Sequence, residues 1–300
     1  MIALLLLTTL ATEPIHPGVV IHPDHGEYPG YTICTIDGLE SLRGFKQKVT
    51  FTKEDWERAV AAQAARRERE LNARLEPEPV IARLAKPIVL SGNEQAWGHV
   101  PAQKVGDGRE NFTYRLALDE QYFYGAFKVA DASPFLNSGT DWKMLFKSGD
   151  SVNVELGRGK SSGAKPGGVR LLIAQHDGKP LAVLYRYRTN PRAEKPITFG
   201  SPVGQVQIDR VKQLTDADIK LSTTRGGYFL EFRIPRSAIP ALAGEPDSVF
   251  GDVGVIFSDA DGRINRYNLF RYSPVKGVTA DVPSEIRLAP RYWHEYKIGE

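Results

Sequence analysis

From residue 87 onward the chain is written in short runs rich in Val, Ile, Phe and Tyr, separated every few residues by Gly, Asp or Asn. This pattern restricts the fold more than any other feature. Runs of three to eight residues bounded by turn formers specify strands. The pattern predicts strands over 88–90, 112–118, 122–129, 151–156, 169–174, 181–188, 205–210, 219–224, 227–234, 251–258, 267–271 and 285–288. Helical signal is confined to one turn at 235–239. Many short strands without helices between them predict an all-β, antiparallel β-sandwich of the jelly-roll or immunoglobulin-like kind, not a βαβ architecture. Phe123-Tyr124-Gly125-Ala126-Phe127-Lys128-Val129 alternates imperfectly, as expected of a strand buried on both faces. The chain has one cysteine, Cys34, so the sandwich must be held by packing and not by intrachain disulfides.

The first 86 residues read differently. Residues 2–11 (IALLLLTTLA) are an apolar run too short to span a bilayer as a helix, with no Lys or Arg before it. Three readings stand: an atypical export signal over 1–12, a buried strand continuing from an upstream domain, or a short core strand. Residues 13–52, with closely spaced Pro, Gly and His, read as loop with short strands. Thr52 before Lys53-Glu54-Asp55 is a helix N-cap followed by an acidic first turn. The segment 54–75 contains neither Gly nor Pro, so one helix is expected over 53–76. Its apolar stripe, begun by Trp56 and Val60, gives way to Gln63 and Arg67, which predicts a solvated helix. Pro77, Pro79 and Pro87 predict a stiff linker over 77–86, with the domain boundary there.

Charge and motif content narrow the function classes. Thirty-nine basic and 36 acidic residues give a net charge of +3, and no Lys/Arg stripe tracks a phosphate backbone, so nucleic acid is not an expected partner. His16, His22, His25 and Cys34 match no zinc spacing and read as solvated loop residues. Gly157-Arg158-Gly159-Lys160 lacks the phosphate-loop spacing and reads as part of a long hairpin loop to Gly168. There is no Gly-x-Ser-x-Gly nucleophile elbow.

Five local patterns appear in order. They are Pro87-Ile88-Val89-Leu90-Ser91-Gly92 with Trp97; Leu118-Asp119-Glu120-Gln121-Tyr122-Phe123-Tyr124 running to Val129-Ala130-Asp131; and Gly149-Asp150-Ser151-Val152-Asn153-Val154. Gly227 to Pro235 (GYFLEFRIP) with Gly254 to Gly262 (GVIFSDADG), and the closing Asp281-Val282-Pro283-Ser284, complete the series. Together they resemble family 9 carbohydrate-binding modules and the wider DOMON-like sandwiches. The resemblance implies binding of sugar chains, export beside polysaccharide-degrading catalytic domains, and in some members calcium. It implies a partner polysaccharide or oligosaccharide, upstream catalytic or propeller domains of a larger polypeptide, and a secreted, periplasmic or envelope location. In such modules two tryptophans clamp a pyranose. Here Lys147, beside Phe146, occupies the first position, and the second falls near Thr279; neither is a tryptophan.

A site would therefore use other residues. Trp142, in the turn-rich Ser138-Gly139-Thr140-Asp141-Trp142-Lys143, reads either as a sugar platform or as a ring packed beneath its loop. Phe146 and Tyr272 are the other candidate rings. Asp261, Arg263 and Asn265 are candidate polar contacts. Asp259 and Asp261, at alternate positions before Gly262, read as calcium ligands or as a turn that satisfies its own backbone. Trp97 and Trp293 read as core, and Asp150 as a structural acceptor. Nothing in the spacing of Asp141, Asp150, Asp259 and Asp261 sets two carboxylates across a glycosidic bond, so no catalysis is expected of this chain itself. The expectation is a non-catalytic carbohydrate-binding accessory domain. The alternatives are a structural or interaction sandwich that has lost sugar binding, and a haem-binding electron-transfer domain using Met144, His99, His176 or His294.

Overall fold

The computed structural model describes residues 78–160, 168–187, 196–202, 204–273 and 285–299, together with the backbone of four strands in the first fifty residues. The chain divides into two units, Met1–Pro77 and Glu78–Glu300. In the first, β1 (Pro14–His16), β2 (Val19–His22), β3 (Thr32–Ile36) and β4 (Gln47–Val49) form an antiparallel sheet in chain order. The apolar run 2–11 and the expected helix at 53–76 lie outside the described residues.

The second unit begins at β5 (Val80–Arg83), inside the stretch read as a linker. Next come β6 (Gln103–Val105), β7 (Asn111–Leu118), β8 (Tyr122–Ala130), β9 (Ser151–Gly157), β10 (Gly168–His176) and β11 (Lys179–Tyr187). They are followed by β12 (Ile197–Ser201), β13 (Gly204–Ile208), β14 (Arg210–Gln213), β15 (Asp218–Thr224) and β16 (Gly227–Pro235). The last three are β17 (Ser248–Ser258), β18 (Asn265–Phe270) and β19 (His294–Gly299). One sheet runs β14-β11-β10-β9-β17-β19-β5-β7-β8-β16-β15, while β12 and β13 form a separate hairpin. Every pairing is antiparallel except those of β5, which is parallel to both β19 and β7. The Pro-rich stretch thus supplies the strand that joins the front half of the sheet, β14 to β17, to the back half, β7 to β15.

Side-chain alternation makes this sheet a sandwich. Val152 and Val154 of β9, Leu171 of β10, and Val253 and Val255 of β17 share one buried cluster with Phe112 and Phe127 of the back half and Leu230 and Phe232 of β16. The inner faces of the two halves are therefore packed on each other, which shows the expected all-β sandwich. Gly125 lies directly opposite Phe232, and a Cβ there would sit 2.4 Å from the ring. Asp177 and Gly178, both at positive φ, close the β10–β11 hairpin in two residues, the backbone that Asp-Gly provides at least cost.

Two expected strands do not form. At 88–90, Ile88 and Leu90 turn onto the outer face of the back sheet with Trp97, and Val89 is exposed. At 285–288 the carbonyls of Glu285 and Ile286 accept from the Arg170 guanidinium and the Tyr187 hydroxyl, so side chains replace a ladder partner there. Strands β5, β6, β12, β14 and β19 were not anticipated, because each is short or interrupted by charged residues.

Candidate ligand-binding face

The front sheet has a second buried face. On β9, Val152, Val154 and Leu156 point into the sandwich, so Ser151, Asn153 and Glu155 point outward, yet all three are fully buried. Register aligns Asp252 of β17 with Glu155, Glu155 with Arg170 of β10, and Arg170 with Tyr185 of β11. These four residues form one row across four strands, and none exceeds 1% exposure.

Buried charges are tolerated only where partners replace water. Asp252 accepts backbone N–H bonds from Val253 (2.8 Å), Tyr272 (3.1 Å) and Ser273 (2.9 Å). Burial still outweighs these donors and pushes its carboxyl up to about 7. Glu155 accepts the indole N–H of Trp293 at 3.1 Å. That indole lies over Gly157, where a Cβ would come within 2.4 Å of the ring. Arg170 donates through Nε to Asn153 Oδ1 at 2.9 Å and through a terminal nitrogen to the Glu285 carbonyl at 2.7 Å. Its guanidinium lies 5.7 Å from the centre of the Phe146 ring. Burial lowers its pKa, opposed by the nearby Tyr187, Tyr185 and Glu285.

An apolar layer covers the row: Leu145, Phe146, Phe199, Ile208 and Ile286, with Trp142 and Met144 packed at its edge. Trp142 opens the 3-10 segment Trp142–Lys147, whose N-cap Asp141 accepts from the Lys143 N–H at 3.0 Å. The Trp142 ring is half-buried with the Lys143 ammonium 5.0 Å above it. The Tyr185 hydroxyl donates to the Lys143 carbonyl, which fixes this turn at the β11 end of the row. Tyr272 occupies the other end, beside Asp252, its ring stacked on His294 at 3.9 Å and 17°. Three strand spacings separate the ends of the row, about 14 Å at the usual ~4.8 Å per strand. The Trp142 turn and Tyr272 are thus anchored at opposite ends of the row.

Two expected site residues have other work. Phe146 is fully buried and packs edge-on against Tyr185 and Phe199, so it presents no face to a ligand. Asn265 is buried as well: its Oδ1 accepts from the Gly149 N–H at 2.9 Å, and its Nδ2 donates to the Phe146 carbonyl at 2.9 Å. A side-chain amide with both ends occupied by backbone is a brace between loops. Asp261 and Arg263 are exposed at the tip of the β17–β18 connection. Asp259 Oδ1 accepts from the N–H groups of Arg263 (2.7 Å) and Ile264 (3.1 Å), bonds that hold its carboxyl below the usual range. That is the self-satisfied turn. Among the described residues no group of three or more His, Cys, Asp or Glu is placed to hold a metal ion.

Asp150 takes the structural position. It accepts from Leu136 N–H (2.9 Å), Ser258 N–H (2.7 Å) and Ser258 Oγ (2.9 Å), while burial lifts its carboxyl to about 6. Trp97 and Trp293 are buried, as expected of core rings. At the tryptophan position of the resembled clamp, Lys147 pairs with Glu285 at 2.9 Å. Thr279 lies outside the described residues. The residues named for haem are dispersed: Met144 packs in the apolar layer, His294 stacks on Tyr272, His176 Nδ1 lies 3.2 Å from the Gly139 carbonyl, and His99 is exposed. Sequence reasoning overlooked Arg170, Glu155 and Asp252. A signal was present in Ser151-Val152-Asn153-Val154-Glu155, whose alternation puts polar groups outward, but alternation does not tell a solvated face from a covered one.

No family model matches the sequence, and no curated protein matches it. Among solved structures, a family 9 carbohydrate-binding module from Caldicellulosiruptor kristjanssonii in complex with cellotriose is similar at 15% identity and a TM-score of 0.44, over 74% of this chain and 94% of that one. The same organism's module with glucose gives 16% identity and a TM-score of 0.41, over 73% and 96%. A candidate carbohydrate-binding protein from Bacteroides uniformis gives 10% identity and a TM-score of 0.43, over 74% and 100%. The solved structures to which this chain is similar thus include modules of the family that its sequence patterns resemble.

Proposed function

We propose that the second unit is a non-catalytic carbohydrate-binding domain carried on an exported polysaccharide-degrading or envelope protein. The observation that carries this reading is the half-exposed Trp142 at one rim of the covered polar row, with the Lys143 ammonium beside it. A flat indole offers a sugar ring an apolar platform, and an adjacent ammonium donates to its hydroxyls. The ordered motifs support the same reading, since their Asp-Ser-Val strand supplies Asn153, which holds Arg170 beneath this rim. The Tyr272–His294 stack is a second aromatic surface at the far rim. In this reading the binding domain extends upstream of residue 87 to include β5. No helix among the described residues is long and apolar enough to cross a membrane.

Affinity electrophoresis of the full chain through gels containing xylan, cellulose derivatives and other neutral glycans tests the proposal. Retardation on at least one glycan, lost in Trp142→Ala, is the expected result. Unchanged mobility on every glycan overturns it. A second reading, an interaction sandwich without sugar binding, is favoured by one observation: the Lys147–Glu285 pair stands where a clamp tryptophan would be. The same gels decide between the two.

A further inference from the structure

At the free edge of the front sheet, three cations meet on one side. Arg186 lies directly opposite Arg210, and Leu184 directly opposite Lys212. Leu184 belongs to the sandwich core, so Arg186, Arg210 and Lys212 stand on the core-facing side of the last two strands. They line a cavity of about 170 Å³, closed by Leu214, Pro235 and Ala238, with Ser237 and Asp216 at its margin. Among the described residues of this lining, three are basic and Asp216 alone is acidic. Like charges directly opposite on neighbouring strands oppose each other. The Arg186 Nε is buried, and among the described residues none accepts its hydrogen.

We propose that this cavity binds a tetrahedral oxyanion, sulfate or phosphate, free or as a terminal ester. An anion would give the buried Arg186 Nε–H an acceptor. Guanidinium forks match tetrahedral oxyanions bidentately, and Lys212 adds a point charge. The volume equals that of about five or six waters at ~30 Å³ each, enough for one such ion with its residual hydration. This site does not depend on the neutral-sugar reading, because it lies at the open edge of the sandwich and shares no residue with the Trp142 rim.

Calorimetric titration of the full chain with sodium sulfate and with sodium phosphate, against sodium chloride at matched ionic strength, tests the proposal. Saturable one-site binding is expected. Arg186→Gln and Lys212→Gln should each weaken it by about tenfold or more, the loss of one charge-assisted contact. Lys212 is exposed, so its variant keeps the test valid if Arg186→Gln does not fold. Lys220→Gln, on exposed β15 surface away from the cavity, should bind as the parent does. An O-sulfated oligosaccharide and its desulfated form separate the two sources: preference for the sulfated chain over the inorganic ions assigns the site to esters, and the reverse to free ions. Absence of binding by both sulfate and phosphate and the sulfated chain overturns the proposal. So does binding that survives both substitutions unchanged.

Discussion

The Trp97 indole N–H donates to the Glu231 carboxylate at 2.7 Å, and both side chains are fully buried on the outer face of the back sheet. The other carboxylate oxygen accepts the Gly92 N–H. Trp293 and Glu155 repeat this arrangement on the front sheet. Each outer face thus carries a glutamate that is stable only while a tryptophan and its loop cover it. Trp97→Phe keeps most of the apolar volume but removes the donor. Urea unfolding should show a loss of about 1–3 kcal/mol, the cost of leaving a buried acceptor short of a partner. A change under a few tenths would mean that water reaches Glu231.

Gly157→Ala should destabilise by about 1–3 kcal/mol, because the new methyl group meets the Trp293 ring where the backbone leaves no space. Near-ultraviolet circular dichroism should change with it, since the indole must shift. An unaltered spectrum would show that the contact is not maintained in solution.

Phe146→Ala should cost about 3–5 kcal/mol in thermal or urea unfolding, as for other fully buried phenylalanines. Trp142→Ala, at the edge of the same layer, should cost less. A phenylalanine serving mainly a ligand would show the opposite balance.

The contribution of Asp252 and Asp150 to stability should fall as pH rises from about 4 to 7. Asp252, raised by burial to about 7, and Asp150, raised to about 6, hold protons in the folded state at pH values where the unfolded chain releases them. Their contribution is complete below the unfolded carboxylate pKa near 4 and is lost as pH passes through the folded values. Asp252→Asn should flatten the upper part of this slope, between about pH 6 and 7. Parallel pH profiles of the parent and the variant would refute the assignment.

Parts of the fold were legible before any coordinates. The hairpins β7–β8, β10–β11 and β15–β16 follow from strand formers meeting at short turns such as Asp177-Gly178, because a two-residue turn sets register locally. The buried character of Trp97 and Trp293 was readable too. Strand β5 was not: its residues are bracketed by prolines, and it becomes a strand only because β19, more than two hundred residues later, lies parallel to it. No local pattern carries a pairing of that span.

The candidate face divides along the same line. That Trp142 stands in a capped turn, and that Asp259 opens a self-satisfied loop, follows from residues within a few positions of each. That Phe146 turns inward, that Asn265 braces Gly149, and that Asp252, Glu155 and Arg170 meet in one buried row follows from strand order. The sequence by itself determined the strands, the turns and the alternation of polar and apolar faces, since these depend on neighbours along the chain. Only the tertiary structure decided which polar face is covered, because burial is a property of what packs against a strand from elsewhere in the chain.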